Sequence, residues 1–165
     1  MESFLWRKGV GIRIANPAVN LIEPKILRNQ TMQTQVEFRA AKFPPYEGEE
    51  EQINPGLWGK RLAEYLKQQL ATQGIETGEI YSEDWGWALP VKNEAFALWI
   101  GCGHQYGDKE QFLCFIEPSK PIIRKLFKKI DTTPAVGHLH DALHKILTSD
   151  PEITDVRWSE TPPTE

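Results

Sequence analysis

The stretch 96-FALWIGC-102, in the middle of the chain, decides the fold. Its residues fall into two alternating sets, one of Phe96, Leu98, Ile100 and Cys102 and the other of Ala97, Trp99 and Gly101. A period of two is typical of a β-strand, because successive side chains point to opposite faces of a sheet. Since neither set carries a polar side chain, we expect a central strand that is covered on both faces.

One neighbouring strand is predicted from the sequence that follows. Residues 112–116 are mainly apolar and follow a turn rich in Gly and Asp, which favours a hairpin with the central strand. If this hairpin turns near Gly107 and Asp108, Cys102 and Cys114 lie almost opposite each other. In a cytoplasmic chain we expect them as reduced thiols and not as a disulfide.

The outer parts of the chain predict two more strands and three helices. Strands are expected over 36–40, where charged residues alternate with apolar ones, and over 153–158. Helical spacing of apolar residues predicts helices at about 55–73, 122–130 and 135–148. The first helix is expected to begin at Asn54-Pro55-Gly56, because Asn caps free N–H groups and Pro suits the first turn.

The order of these elements predicts an α+β fold. We expect a single domain over 31–160, with a mainly antiparallel sheet of four to six strands and two or three helices packed on one face. Residues 44–51 hold two prolines, one glycine and four acids, which indicates a loop on the outside. Residues 1–30 are expected to form an N-terminal arm and 161–165 a disordered tail.

Composition excludes several classes of function. The 165 residues include 19 basic and 23 acidic ones, so the net charge of −4 argues against a nucleic-acid-binding protein. No apolar run of about 18 residues occurs, which argues against a membrane protein. Two cysteines and the lack of a recognisable signal peptide favour a cytoplasmic location. The charge is uneven, since residues 45–94 are rich in acids whereas 120–130 hold five basic residues and no acid.

The most unusual local sequence is 83-EDWGW-87, within a strand predicted over 81–91. Alternation would place Glu83, Trp85 and Trp87 on one face, where indole rings offer a large and rigid contact area. We therefore predict a partner-binding surface at Glu83, Asp84, Trp85 and Trp87, and its acids favour a basic protein partner. Two alternatives are that the tryptophans belong to the core and that they line a small-molecule pocket. Paired acid–base catalysis is disfavoured, because adjacent strand residues point to opposite faces.

The segment from Asn54-Pro55-Gly56 through the helix to 83-EDWGW-87, together with 153–158, resembles a set of small uncharacterised bacterial proteins. Those proteins share a helix followed by an acidic-Trp-Gly-Trp strand. The resemblance covers about two thirds of the chain. It implies a bacterial cytoplasmic protein, and it transfers no activity or catalytic residue.

A second signal is the run of histidines at His138, His140 and His144. His140 and His144 are four residues apart and share one face of the predicted helix, a spacing at which two imidazoles hold one zinc ion, and His138 is the candidate third ligand from the helix start. The run resembles the metalloprotease pattern HExxH with Asp141 in place of Glu. The alternative is an amphipathic helix whose histidines flank an apolar stripe.

No phosphate-binding loop is indicated, because the glycine-rich segment 101–107 leads into a strand and not into a helix. We expect no cofactor. The sequence favours a small cytoplasmic binding or interaction protein without catalysis, which contacts a basic partner through Glu83–Trp87. The rival functions are a metal-dependent hydrolase that uses His140 and His144, and a small-molecule pocket lined by tryptophans.

Overall fold

A computed structural model describes residues 32–105 and 107–160. The expected arm at 1–30 and tail at 161–165 lie outside the described residues. The described part begins with strand β1 (Gln33–Arg39), a short 3-10 helix (Glu49–Glu51) and helix α1 (Lys60–Thr72). The elements that follow are β2 (Tyr81–Glu83), β3 (Gly86–Val91), β4 (Leu98–His104), β5 (Gln111–Glu117), β6 (Ile122–Lys125), β7 (Lys128–Asp131), α2 (Thr133–Ser149) and β8 (Thr154–Glu160).

The α+β fold is confirmed. Six strands form one sheet in the order β2-β3-β4-β5-β1-β8, and every neighbouring pair is antiparallel. As predicted, β4 has a neighbour on each side. Both α-helices pack on the same face, where alternate strand residues and the apolar stripes of α1 and α2 form the core. None of the described helices is long and apolar enough to cross a membrane.

The hairpin of β4 and β5 follows the predicted register. Cys102 lies directly opposite Cys114, and both thiols are free and buried on the helix-covered face. Burial raises the pKa of the Cys102 thiol well above its usual value, and the adjacent Cys114 raises it further. Both cysteines therefore pack as small apolar residues.

The single strand predicted over 81–91 is wrong, because the segment forms two strands. Glu83 pairs with Gly86, so Asp84 and Trp85 form a two-residue turn between β2 and β3. The turn breaks the alternation on which the prediction depended. Trp87 consequently points to the helix-covered face, opposite Cys102, whereas Trp85 lies on the other face.

The helix predicted over 122–130 is also wrong, because this segment is the β-hairpin of β6 and β7. Ile123 pairs with Ile130, and these two side chains pack against the core while the remaining residues of the hairpin are exposed. The apolar spacing fits a strand pair as well as a helix. The turn residues Leu126 and Phe127 have φ values of 47° and 68°, a left-handed conformation that costs about 1–2 kcal/mol for each such residue.

Helix α1 starts at Lys60 and not near residue 55. Its N-terminus is held by Glu49, whose Oε1 accepts the N–H groups of Gly59 and Lys60, each at 2.8 Å. Oε2 of the same carboxylate accepts the Tyr46 N–H at 2.9 Å. Glu49 is only 1% exposed, so the segment 44–51 does not lie wholly on the outside as expected. A negative group at this position favours the helix through its dipole.

The three remaining predictions on secondary structure hold to within a few residues. Strand β1 (Gln33–Arg39) corresponds to the strand expected over 36–40. Helix α2 corresponds to the helix expected at 135–148 and begins two residues earlier, with Pro134 in its first turn. Strand β8 corresponds to the strand expected at 153–158 and lies at the edge of the sheet beside β1.

Candidate functional site

The face of the sheet opposite the helices carries three aromatic rings in contact, from Trp85, Trp99 and Phe115. The ring centroids are 4.9 Å apart for Trp85 and Phe115, 5.5 Å for Trp99 and Phe115, and 5.9 Å for the two tryptophans. All three side chains are only half-buried. We call these three residues the aromatic cluster.

Glycines in β4 make room for the cluster. A Cβ atom at Gly101 would lie 2.3 Å from an atom of the Phe115 ring, so only glycine allows that ring to cover the strand. Gly103, two residues farther on, forms part of a cavity of about 450 Å³ beside the cluster. We call this the aromatic cavity; its lining residues are Leu57, Trp85, Gly103, His104, Gln105, Leu113 and Phe115.

Carboxylates occupy the two turns that follow or precede lining residues of the aromatic cavity. Glu83 and Asp84 at the β2–β3 turn are exposed, and within the described residues neither has an ion-pair partner. On the neighbouring β4–β5 turn, Asp108 binds the guanidinium of Arg39, with Nη1 and Oδ2 at 2.6 Å. The hydrogen bond from Arg39 lowers the pKa of Asp108. Among the described residues, Glu83 and Asp84 thus differ from Asp108, since neither of them is held by a cationic side chain.

The structure brings Glu83, Asp84 and Trp85 together but separates them from Trp87. Trp87 is 3% exposed, and its Nε1 donates a hydrogen bond of 2.8 Å to Oε1 of Glu49. The prediction that Glu83 and Trp87 share a face is wrong, because the register places Glu83 on the open face and Trp87 in the core. Of the two tryptophans in this segment, Trp85 is the one that contacts the cavity.

His104 is one of the residues that line the aromatic cavity. Its ring stacks on Trp58 with centroids 3.5 Å apart, and Nε2 forms a short hydrogen bond with the carbonyl oxygen of Asp108. Burial lowers the pKa of His104, and the carbonyl of Asp108 offsets only part of that effect. The lowered pKa favours the neutral imidazole near neutral pH.

The histidines of α2 lie elsewhere. His140 and His144 share a helix face as predicted, with parallel rings whose centroids are 6.3 Å apart, and the ring of Trp158 packs against His140 at 4.0 Å. Trp158 Nε1 donates to Nδ1 of His144, at 3.2 Å. His138 lies on another side of α2, beside a separate cleft near Asn93. Among the described residues, no three His, Cys, Asp or Glu side chains come close enough together to hold a metal ion.

A polar cleft between α1 and α2 is a feature that sequence reasoning missed. Its volume is about 570 Å³, and an ion-pair network of Lys42, Asp150 and Tyr65 lies at its edge. Asp150 Oδ2 accepts hydrogen bonds from Lys42 Nζ at 2.6 Å and from Tyr65 Oη at 2.7 Å. Burial and the bond to Asp150 raise the pKa of Tyr65. The three groups satisfy one another, which favours a role in stabilising the helix pair.

Sequence reasoning also missed two thirds of the aromatic cluster. The sequence predicts that the strand of Trp99 is covered on both faces and does not single out Phe115, whereas among the described elements both α-helices pack on one face. The signal was present, since Trp99 shares its face with Gly101 and Gly103. Aromatic residues beside glycines on one strand face are typical of a surface that other groups approach closely.

No protein-family model matches this chain, and no curated protein or solved structure matches it either. Any functional conclusion therefore depends on the geometry of the aromatic cavity and its surroundings.

Proposed function

We propose that this chain is a small non-catalytic binding protein that holds a basic segment of a protein partner at the aromatic cavity. One observation carries the proposal. Half-exposed rings of Trp85, Trp99 and Phe115 lie beside the exposed and unpaired carboxylates of Glu83 and Asp84. This combination modifies the sequence-based hypothesis, since Trp99 and Phe115 take the place of Trp87 at the surface.

The rings supply contact area, and the acids supply charge selectivity. Tryptophan is enriched among the residues that dominate binding energy, because it brings a large apolar surface with few rotatable bonds. A Lys or Arg side chain of the partner can lie over an indole ring, which favours cations electrostatically. Glu83 and Asp84 at the rim attract a basic segment and accelerate its association.

The chemistry of the lining favours binding over catalysis. Among the described residues, the cavity is lined mainly by apolar side chains and glycine, and the one titratable side chain among them, His104, is stacked on Trp58. A bacterial origin and a cytoplasmic location, expected from the sequence, belong to this proposal as well. They agree with two free cysteines held as thiols.

A peptide selection tests the proposal. The protein is immobilised and used to select from a random peptide library, and the affinities of the selected peptides are measured for wild type, Trp99→Ala and the control Trp158→Ala. We expect selected peptides to be rich in Lys and Arg, and Trp99→Ala to weaken them by about thirtyfold, the effect of one dominant contact residue. Trp158 lies on the helix-covered side, so its variant should bind like wild type.

The charge of the rim gives a second readout. Glu83→Gln combined with Asp84→Asn should slow association at low salt and leave the dissociation rate nearly unchanged. Selected peptides without a basic bias, or equal affinity for wild type and Trp99→Ala, contradict the proposal.

A small-molecule ligand is the second candidate, and the cavity itself favours it. A volume of about 450 Å³ lies within the range of ligand pockets, about 300–1,000 Å³. A fragment screen followed by NMR distinguishes the two functions. Fragments that shift the Trp85 indole signal while no peptide binds would favour the small-molecule function.

A further inference from the structure

The β6–β7 hairpin ends in two large apolar side chains that lie in solvent. Leu126 is 83% exposed and Phe127 107% exposed, far more than the next large apolar residue in the described part of the chain, Ile122 at 56%. Both tip residues adopt left-handed φ values, in a two-residue turn where Asn and Gly are favoured. Polar residues or glycine would relieve the backbone strain and remove the apolar side chains from solvent. That Leu126 and Phe127 stand at the tip instead points to a contact made by their side chains.

Basic residues flank the tip in two cross-strand pairs. Lys125 lies opposite Lys128, and Arg124 lies opposite Lys129. All four are exposed, and none has an ion-pair partner among the described residues. Like charges placed directly opposite each other destabilise a hairpin. An acidic partner would relieve this repulsion.

The hairpin tip and the aromatic cavity lie at opposite ends of β4. Lys125, next to the tip, has its Nζ 3.4 Å from the carbonyl oxygen of Ala95, just before β4 begins. The cavity is lined by Gly103 and Gln105, where β4 ends. A strand rises by about 3.3 Å per residue, so Ala95 and Gly103 are about 25 Å apart. The tip of one chain therefore cannot enter the cavity of that same chain.

We propose that the hairpin tip of one copy binds in the aromatic cavity of a second copy. This inference rests on the proposed function, because it names another copy of the chain as the basic partner. Phe127 would pack against the aromatic cluster. The four basic residues that flank the tip would approach the carboxylates at the rim.

Complementarity in both charge and polarity supports this pairing. The cavity end carries Glu83 and Asp84 together with exposed acids of the preceding loop, Glu50 and Glu51. The hairpin is basic and has an apolar tip. The described part of the chain thus presents an acidic apolar surface and a basic apolar tip, which are complementary in charge and alike in apolar character.

The contact joins different surfaces of the two copies, so it is heterologous. When two copies bind through one such contact, one copy keeps a free tip and the other keeps a free cavity. Further copies can therefore add until a ring closes. Because charged groups meet across the contact, association is expected to weaken as salt concentration rises.

Sedimentation velocity of the full chain over a wide range of concentration tests this proposal. Wild type should self-associate reversibly at low salt. The double variant Leu126→Asn/Phe127→Gly should stay folded, since it places the favoured residues in the turn, and should weaken association at least tenfold. Trp85→Ala should have a similar effect on association, with circular dichroism as the control for folding.

Mixing the two variants isolates the heterologous contact. One variant lacks the tip and the other lacks a complete cavity, so each should be monomeric alone and the two should form a one-to-one complex together. Lys128→Glu and Glu83→Lys should each weaken self-association, and the two variants mixed should associate again, because one keeps an intact cavity and the other an intact tip. A symmetric interface elsewhere on the chain predicts neither result.

A wild-type chain that stays monomeric, or a tip variant that associates as strongly as wild type, overturns this inference. If selected basic peptides still bind in a Trp99-dependent manner, the proposed function stands and only the identity of the partner is wrong. If the peptides fail as well, both proposals are wrong. Binding of a monomeric chain to vesicles of phosphatidylcholine and phosphatidylglycerol through Phe127 would assign the tip to a lipid surface and overturn self-association.

Discussion

The two short hairpins of this protein place an aromatic turn residue in opposite environments. In the β2–β3 hairpin, Trp85 folds back onto the sheet and its ring lies 4.9 Å from that of Phe115. In the β6–β7 hairpin, Phe127 extends into solvent. The first hairpin belongs to the six-stranded sheet, whereas the second is a separate two-stranded sheet. The difference shows that the surroundings of a turn, and not its apolar residues alone, decide whether they become core or contact surface.

The largest effect is expected from Trp87→Ala, which removes the anchor of the β2–β3 hairpin. The side chain is buried, and its loss leaves both a cavity and one missing donor to Glu49. We expect a loss of about 3–5 kcal/mol in the free energy of unfolding. Urea denaturation checks this value. A loss below about 1 kcal/mol would mean that Trp87 contributes little to stability and that the contrast with the second hairpin does not hold.

Trp85→Ala should cost less, because Trp85 is half-buried on the open face. Loss of the ring contacts with Trp99 and Phe115 is expected to lower the free energy of unfolding by about 1–2 kcal/mol. The matched variant Phe127→Ala in the other hairpin should change it by less than about 0.5 kcal/mol. Equal effects of the two variants, measured by urea denaturation, would remove the contrast between the hairpins.

Replacing the strained turn should stabilise the protein slightly. Leu126→Asn/Phe127→Gly relieves two left-handed residues and removes exposed apolar area. Because Asn and Gly relieve only part of the cost at these two positions, we expect a gain of about 1–2 kcal/mol in the free energy of unfolding, which a shift of the thermal midpoint would report. The same type of replacement at the other turn, Trp85→Gly, is expected to destabilise. A destabilised tip variant would show that Leu126 and Phe127 serve the fold.

The smallest effect concerns pH and His104, at the cavity end of the first hairpin. Burial lowers the pKa of His104 in the folded state, so the unfolded state binds a proton more readily. The free energy of unfolding should therefore fall as pH decreases below the ordinary histidine value of about 6.5, and level off below the folded pKa. Urea denaturation of wild type and His104→Gln over this range checks it. An equal slope in both proteins would assign the pH dependence to other groups.

Much of the fold could be predicted from alternation in the sequence. The apolar residues on both sides of Ile100 indicated a central strand, and the opposition of Cys102 and Cys114 followed from the position of the turn. The predictions that proved wrong concern segments in which the local sequence pattern and the long-range contacts favour different structures. Residues 122–130 fit a helix equally well, and only the pairing of Ile123 with Ile130 against the core selects a hairpin.

The candidate site could be predicted only in part. Glu83, Asp84 and Trp85 were identified because they are adjacent in the sequence. Trp99 and Phe115 lie on separate strands, and their contact with Trp85 depends on a two-residue turn that apolar periodicity does not reveal. The capping role of Glu49 could not be predicted for a similar reason, since its partners Gly59, Lys60 and Trp87 lie ten or more residues away.

The hydrogen bonds of Glu49 also limit how the chain can vary in length. Surface loops ordinarily accept insertions and deletions, because their backbone makes few specific contacts. Here one carboxylate binds the N–H of Tyr46 near the start of the connection and those of Gly59 and Lys60 at its end. Adding or removing a residue between Glu49 and Gly59 would pull the carboxylate away from the start of α1. This connection is therefore a place where the protein can change its side chains but not its number of residues.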